Sequence, residues 1–319
     1  MQPRIQNAHP EEGMRTTRRA NRVDALAFAV LFGLFLSGMA CQGSQAPAER
    51  DLQLADLQYA NSSSEQTLDL YLPQGPGPFP LVVYIHGGGF ILGDKVNKTV
   101  EEIRSPLLNE GYALASVNYR LTEGGFPDQV RDVKTAVRWL RDNASRFRLA
   151  TDQIAAWGAS AGGNLAAMLG TSCGVESLEG SELGSPDESS CVQAVIDWFG
   201  PVDFMMMERQ LELRSCPVDL TWASIYAGGP LEQNQDIVRA ANPMTYITPG
   251  DPPMLIEHGT ADCKVPPEQS QMLAEALRSL LGDSSVVLEI IDGAEHYDSI
   301  FVSPSNIRSV LDFLNLHLK

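Results

Sequence analysis

The stretch that most constrains the fold of this chain is WGASAGG, residues 157–163. It follows a predicted strand at residues 153–157 and runs into an Ala- and Leu-rich helix former at residues 164–169. A Gly-x-Ser-x-Gly motif between a strand and a helix is typical of a nucleophile elbow, a tight turn that holds the serine above the edge of a sheet. The flanking glycines leave room where a Cβ would collide. Ser160 is therefore a candidate nucleophile, and the plain alternative is a glycine-rich turn without chemistry.

Predicted strands and helices alternate along the chain, which indicates an α/β fold with a mostly parallel central sheet and helices on both faces. The buried strands read as apolar runs, such as LVVYI at residues 81–85. Further strands are predicted at residues 67–72, 113–118, 154–157, 192–198, 254–257 and 286–291. Helices are predicted from Pro127 onward and at residues 267–281 and 305–318.

Two segments interrupt this alternation. Residues 173–191 are rich in Gly, Ser and Glu and are predicted to form a loop held at its ends. Residues 204–241 carry three consecutive methionines and are long for a connection between two strands. They are interpreted either as a small cap over the site or as an ordinary packed crossover.

A second glycine-rich motif, HGGG at residues 86–89, follows the apolar strand 81–85. Ligands of open α/β sheets bind at the carboxyl ends of such strands. Backbone N–H groups of Gly88 and Gly89, with that of Ala161 after the serine, form a candidate oxyanion hole. A phosphate cradle is the alternative, but no Lys-Ser/Thr follows as a P-loop requires. His86 is expected to shape this loop by hydrogen bonding rather than to transfer protons.

Chain order selects the partners of the serine, because the acid and then the histidine follow a nucleophile elbow of this kind. His296 lies in a loop after the last predicted strand, whereas His317 lies within the final predicted helix. Asp262 stands on the loop after strand 254–257, and Asp203 is the reserve candidate. Asp262 would orient His296, which would accept the serine proton and return it to the leaving group.

Residues 1–40 have the layout of an export signal, with an arginine cluster, an apolar run over residues 25–40 and small residues before Cys41. Cys41 is a candidate lipidation site, although cleavage after Ala40 would suit the sequence equally. Residues 41–60 are predicted to be a tether and linker, and residues 61–319 the folded domain. The protein is accordingly expected to be periplasmic, secreted or anchored as a lipoprotein.

Four cysteines remain besides Cys41, and an even number in an exported protein favours disulfides over metal or redox chemistry. Four cysteines allow three pairings. Short loops favour Cys173 with Cys191 and Cys216 with Cys263.

The formal net charge of −17 argues against binding of nucleic acid or of an anionic membrane through the folded body. Contact with a membrane is expected only through the leader or a lipid at Cys41. The sequence does not predict an oligomeric state.

Taken together, the motifs resemble those of α/β-hydrolase serine esterases of the hormone-sensitive-lipase-like and BD-FAE (feruloyl or acetyl esterase)-like kind. The matching stretches cover nearly the whole chain after the leader: HGGGF at 86–90, GASAGG at 158–163, HG at 258–259 with Asp262 and VP at 265–266, QS at 269–270, and 293–296. A cysteine beside the acid, Cys263, is a departure from that pattern. If bonded to Cys216, it would tie the acid loop to the cap.

The resemblance implies an α/β-hydrolase catalytic domain over residues 61–319 that hydrolyses carboxylic esters through an acyl-enzyme. It suggests short acyl groups, such as acetyl or feruloyl esters of carbohydrates, with no metal or organic cofactor.

Two other functions are compatible with parts of the sequence. One is a serine peptidase of the prolyl-oligopeptidase type, whose Ser and Asp loops are similar. That family normally carries a β-propeller, for which few residues are available between the leader and the first predicted strand. The other is a catalytically inactive hydrolase fold that acts as a binding module, which the intact set of Ser160, Asp262 and His296 argues against.

Overall fold

The computed structural model describes residues 52–121 and 125–319. The predicted export signal and Cys41 lie outside the described residues. Within them, eight strands form one sheet in the order β1-β2-β4-β3-β5-β6-β7-β8. The strands are β1 (Leu52–Gln58), β2 (Thr67–Leu72), β3 (Phe79–Ile85), β4 (Ala113–Val117), β5 (Leu149–Ala159), β6 (Ala194–Trp198), β7 (Met254–Gly259) and β8 (Val286–Ile291).

Six neighbouring strands, from β4 through β3 to β8, run parallel, and β1 and β2 continue the sheet antiparallel at one edge. The helices are α1 (Lys98–Asn109), α2 (Asp128–Asp142), α3 (Ala144–Phe147), α4 (Ala161–Thr171), α5 (Glu176–Glu179), α6 (Phe204–Leu213), α7 (Thr221–Tyr226), α8 (Gln235–Ala240), α9 (Glu268–Leu281) and α10 (Pro304–Leu318). Short 3₁₀ turns occupy Ser181–Leu183, Leu231–Gln233, Pro243–Tyr246, Asp283–Ser285 and Ser299–Val302.

Two apolar layers cover the two faces of the sheet. Buried side chains of α2, α4 and α9 pack in one layer, and those of α1 and α10 pack in the other. The prediction of an α/β fold with a mostly parallel sheet is confirmed. None of the helices in 52–121 and 125–319 combines the length and apolarity needed to cross a bilayer.

The sheet places the two glycine-rich motifs side by side. Every residue of β3 is buried, which explains its continuous apolar sequence. β3 pairs in parallel with β5, and Ile85 lies opposite Gly158. Because both strands end at the same edge, the HGGG loop emerges next to the turn that carries Ser160.

The strand β1 shows that the predicted linker is wrong for residues 52–60. β1 pairs antiparallel with β2, and Tyr59 and Ala60 are buried. Its Asp56 forms an ion pair of 2.8 Å with Lys95, which also lies 2.9 Å from Asp69 of β2. The edge of the sheet therefore holds the segment that follows the HGGG loop.

A disulfide closes the segment 173–191 at its ends, and a second disulfide joins the segment 204–241 to the loop after β7. The pairs are Cys173–Cys191 and Cys216–Cys263, the two pairings that short loops favoured. Residues 173–191 are mostly loop, with the single turn of α5. Residues 204–241 form the three short helices α6, α7 and α8.

Candidate active site

Ser160 lies between β5 and α4 in a backbone conformation that side chains rarely adopt, with φ 58° and ψ −123°. A Cβ at Gly158 would collide with the carbonyl of Gly162, and one at Gly162 would collide with the carbonyl of Ile85. The turn therefore needs glycine at both positions. It holds the serine at the start of α4, and such strain is common where a side chain is positioned for chemistry.

His296 connects Ser160 to Asp262. Its Nε2 lies 3.0 Å from the Ser160 Oγ, and its Nδ1 lies 2.6 Å from Oδ2 of Asp262. Asp262 follows β7 and His296 follows β8, so neighbouring strands deliver both side chains to the same edge. His296 therefore lies between the serine hydroxyl and the carboxylate, as it must if it is to accept the serine proton while the carboxylate orients it.

The Asp262 carboxylate is buried and saturated with donors. Its Oδ1 accepts the backbone N–H groups of Lys264 and Val265, at 2.8 and 3.0 Å. Burial alone would raise the pKa of Asp262, but hydrogen bonds from His258 and His296 outweigh it and hold the pKa well below its usual range. The carboxylate is therefore charged when it faces His296.

The reserve acid Asp203 has a different place. Its side chain accepts the backbone N–H groups of Met205 and Met206 and so caps α6. The structure does not bring it to His296.

The HGGG loop adopts a left-handed backbone at Gly88 and Gly89, with φ values of 119° and 62°. Gly88, Gly89 and Ala161 line the same cavity as Ser160, as a set of oxyanion donors must. His86 lies behind the loop, where its Nδ1 is 2.8 Å from the carbonyl of Gly87. Its ring stacks on Tyr119 at 4.4 Å, a position suited to shaping the loop.

Sequence reasoning missed three side chains around His296. Phe199 and Tyr297 pack edge-on against its ring, with centroid distances of 4.7 and 5.0 Å. His258 is fully buried beside Asp262 and lies 2.7 Å from the hydroxyl of Ser270. Only the motifs HG at 258–259 and QS at 269–270 indicated a contact between His258 and Ser270. No motif indicated Phe199, which lies nearly one hundred residues before His296 in the chain.

The cavity in front of Ser160 has a volume of about 380 Å³. Residues of the segment 204–241 form one wall, namely Leu211, Pro217, Asp219 and Trp222. The Cys216–Cys263 disulfide joins this wall to the loop that carries Asp262. The segment 204–241 therefore bounds the site and is not a remote crossover.

An aromatic cluster joins the wall formed by the segment 204–241 to the HGGG loop. Phe90, next after Gly89, stacks on Tyr226 with a centroid distance of 3.7 Å and lies 6.0 Å from Trp222. Phe204 packs edge-on against both of these cap rings. Ring contacts of this kind add stability beyond the burial of area, so the wall is held by packing as well as by a disulfide.

Within the part of the chain that the structure describes, no group of His, Cys, Asp and Glu side chains could hold a metal ion.

The BD-FAE family model matches residues 68–277, more than half of the chain, and the chain belongs to this family. Esterase LipC of Mycobacterium tuberculosis is 30% identical over 220 residues, which cover 69% of this chain and 53% of LipC. The chain thus spans about half the length of the curated relatives it matches.

Two solved structures share the fold over most of the chain. A bifunctional GH43-CE protein of Bacteroides eggerthii has a TM-score of 0.76 and 31% identity, covering 84% of this chain and 35% of that protein. A truncated carbohydrate esterase from gut microbiota has a TM-score of 0.76 and 28% identity, covering 83% of this chain and 95% of that one. The fold is that of the α/β-hydrolases.

Proposed function

We propose that this protein is a serine esterase that hydrolyses carboxylic esters through an acyl-enzyme. The observation that carries the proposal is a series of two hydrogen bonds through His296. Its Nε2 lies 3.0 Å from the Ser160 Oγ, and its Nδ1 lies 2.6 Å from Asp262 Oδ2. A serine alone is a weak nucleophile, and an adjacent base oriented by a third group activates it.

In the first half of the reaction, Ser160 Oγ attacks the ester carbonyl carbon as its proton passes to His296 Nε2. Backbone N–H groups of Gly88, Gly89 and Ala161 receive the developing oxyanion. His296 then donates the proton to the alcohol oxygen, and the carbon–oxygen bond breaks. In the second half, water attacks the acyl-serine by the same route and releases the carboxylic acid. Asp262 stays ionised and stabilises the imidazolium.

The substrates we propose are esters of short acyl groups, with carbohydrate acetates as the natural class and carbohydrate ferulates as the alternative that a closed acyl pocket disfavours. The wall fixed by Cys216 and the aromatic cluster limits the space available to the acyl group. The structural similarity to a protein described as a carbohydrate esterase supports the proposal that the ester is one of a carbohydrate.

We propose that the protein works in an oxidising compartment after export. The two disulfides support this, since disulfides persist in such compartments. The export signal at residues 1–40 and lipidation at Cys41 are part of the same proposal. Its substrates are small molecules or carbohydrates rather than nucleic acids, consistent with the net charge of −17.

The rival functions are not favoured. LipC is named as an esterase rather than as a peptidase. An inactive binding module would not need to keep Ser160, His296 and Asp262 in hydrogen-bonding register.

The decisive experiment compares the wild type with Ser160→Ala on an acetyl ester. We expect the variant to lose ester turnover while its thermal unfolding midpoint stays close to that of the wild type. A serine-directed phosphonate should label Ser160, located by peptide mapping. Substantial turnover by Ser160→Ala would refute the assignment, and turnover of a dipeptidyl amide in place of esters would favour the peptidase.

A further inference from the structure

A second cavity, of about 430 Å³, adjoins the catalytic cavity on the side of α1 and of the 3₁₀ turn Ser299–Val302. The two cavities share three lining residues, Gly88, Leu92 and Tyr297. Leu92 and Tyr297 are the side chains at this border, and Tyr297 is the one that also packs against His296. Nothing in the mechanism above uses this space.

Tyr297 is anchored at its tip and exposed along its length. The hydroxyl lies over the Cα of Gly87, where an added Cβ would collide with it and would also lie 3.1 Å from the Cβ of Ser160. Burial of this hydroxyl raises the pKa of Tyr297 to about 12. The side chain as a whole is nevertheless 47% exposed, so its ring has solvent on one side into which it can rotate.

The position of Tyr297 identifies which part of an ester would meet the second cavity. The leaving alcohol oxygen must lie within reach of His296 Nε2, which returns the proton to it. Tyr297 follows His296 directly and packs edge-on against its ring at 5.0 Å. Leu211 and Trp222 line the catalytic cavity but not the second one, and we place the acyl group beside them. The second cavity therefore lies on the side of the alcohol.

The lining of the second cavity is aromatic within and polar at its mouth. Trp198, Phe199 and Phe301 are each at most 2% exposed. They form a connected set in which Phe301 lies 4.6 Å from Phe199 and 5.6 Å from Trp198. Lys98 and Glu102 of α1 stand exposed at the rim. A deep apolar wall with a few polar groups at its edge is typical of a site for a small organic group.

We propose that the second cavity is a subsite for a flat aromatic alcohol group of the ester, and that Tyr297 swings aside to admit it. This inference rests on the proposed esterase function, and on the alcohol side it names an aromatic group in place of the carbohydrate proposed above. It assigns to Tyr297 the role of a partition that sets the size of alcohol the enzyme accepts. Aromatic groups fit because rings pack edge-on or offset against other rings with a gain beyond area burial.

The test compares 2-naphthyl acetate with ethyl acetate, two esters that share an acyl group and differ in the alcohol. The readout is the ratio of their kcat/KM values in each variant, divided by the ratio in the wild type, so that the intrinsic reactivity of the two esters cancels. Tyr297→Ala removes the partition and should raise this ratio at least fivefold. Tyr297→Phe keeps the ring and removes only the hydroxyl, and it should leave the ratio within twofold.

A second variant fills the cavity from its far end. Val302→Trp places a large ring in the cavity, since Val302 lines it and is only partly buried, and it should lower the ratio at least fivefold. In the double variant Tyr297→Ala/Val302→Trp, the gain from Tyr297→Ala should disappear. Thermal unfolding and ethyl acetate turnover report whether each variant is folded.

Unchanged ratios in folded Tyr297→Ala and Val302→Trp would overturn the subsite. An increase for Tyr297→Ala that persists in the double variant would place the naphthyl group elsewhere and also overturn it. Failure of the wild type to hydrolyse either acetate would instead refute the esterase function itself.

Discussion

His258 Nε2 lies 3.3 Å from Asp262 Oδ2, the same carboxylate oxygen that His296 Nδ1 approaches at 2.6 Å. The His258 nitrogen is also 2.8 Å from the carbonyl of Val265. Because both neighbours are acceptors, this nitrogen carries a hydrogen, and the other ring nitrogen lies 2.7 Å from the Ser270 hydroxyl. Two imidazoles therefore share one carboxylate, and His258 stabilises the charge that orients the base.

Replacement of His258 by Phe should remove this support while keeping a buried ring. A hydrogen bond to a charged group contributes about 1.5–3 kcal/mol, so the free energy of unfolding should fall by about that amount at neutral pH. The depressed pKa of Asp262 contributes stability that is present above the ordinary aspartate pKa and is lost as the pH falls toward the folded value. The difference between wild type and variant should therefore shrink as the pH falls from about 5 to about 2.

Urea unfolding across that pH range measures the effect. Ser270→Ala is a matched control, because it removes the partner of His258 Nδ1 but no donor to Asp262. Its effect on stability should not depend on pH in this range. A pH-independent difference for His258→Phe as well would mean that His258 acts through packing alone.

Substitution of Gly88 by Ala should damage catalysis because the Cβ would collide with the carbonyl of Leu92. The loop must move, and loss of one oxyanion donor costs roughly 10²–10³ in kcat. Gly75→Ala is the control, since Gly75 has a similar φ of 117° with nothing within 4 Å of the added Cβ. Steady-state kinetics should show a large loss for the first variant and none for the second. Equal losses would refute a special role for the HGGG loop.

The two disulfides should have different effects on activity. On the chain-entropy estimate, loops of 18 and 47 residues contribute roughly 3 and roughly 4 kcal/mol to the free energy of unfolding. Replacing Cys173 and Cys191 by Ala should lower stability without altering kcat/KM, because neither residue lines the catalytic cavity. Replacing Cys216 and Cys263 should lower both, since this pair joins the cavity wall to the Asp262 loop.

Peptide mapping without reduction should recover both pairs from protein made in an oxidising compartment. Four free thiols would contradict the pairing, and unchanged kinetics after loss of Cys216–Cys263 would show that packing alone holds the wall.

Esters of acetyl to butyryl groups should be preferred, with kcat/KM falling steeply by octanoyl. Each buried CH₂ contributes about 0.8 kcal/mol, so an open apolar groove would instead make the specificity constant rise with chain length. Here the wall around Trp222 is fixed by the aromatic cluster and a disulfide. A series of p-nitrophenyl esters tests this, and Leu211→Ala should shift the optimum to longer chains. A decanoyl ester that outperforms acetyl in the wild type would contradict a closed acyl pocket.

Glu257 on β7 should make stability fall as pH rises. It is fully buried, its Oε2 accepts a hydrogen bond from Asn306 at 2.9 Å, and burial raises its pKa to about 7. The folded state therefore keeps a proton that the unfolded chain releases near its ordinary pKa. Between about pH 4.5 and pH 7 the free energy of unfolding should fall by up to about 3 kcal/mol.

Glu257→Gln keeps an acceptor for Asn306 and cannot ionise. It should flatten the pH dependence and exceed the wild type in stability at pH 8, as measured by urea unfolding. A variant that is less stable than the wild type at pH 8 would show that the carboxylate is ionised and satisfied in the fold.

Much of the fold was predictable because its signals are local. The apolar run of β3 and the glycine-rich turn around Ser160 each specify one element within a few residues, and chain order then points to His296. The edge strand β1 escaped prediction because half of its residues face solvent and a bulge interrupts its pairing between Leu54 and Leu57. The helix α1 escaped as well, because Pro106 inside it reads as a breaker.

Long-range packing explains what the sequence left open at the site. Phe199 reaches His296 only because β6 ends beside the loop that follows β8. Tyr297 borders two cavities only because the HGGG loop and α1 enclose the second. No short motif signals such neighbours, since their positions depend on how the whole sheet is assembled.

The aromatic cluster around Phe90 affects how the substrate specificity of this protein could change by mutation. Trp222 belongs to this cluster, packs against Gly89 of the HGGG loop and also lines the cavity in front of Ser160, where we place the acyl group. A mutation in α7 that admits a longer acid must therefore shift the donors that accelerate the reaction, so a new acyl preference would be gained at the expense of rate. On the alcohol side the link is different, because Tyr297 packs against His296 and lies over Gly87 but stands outside the Phe90 cluster, so its substitution leaves the acyl wall in place. New specificities can arise most readily on that side, one substitution at a time.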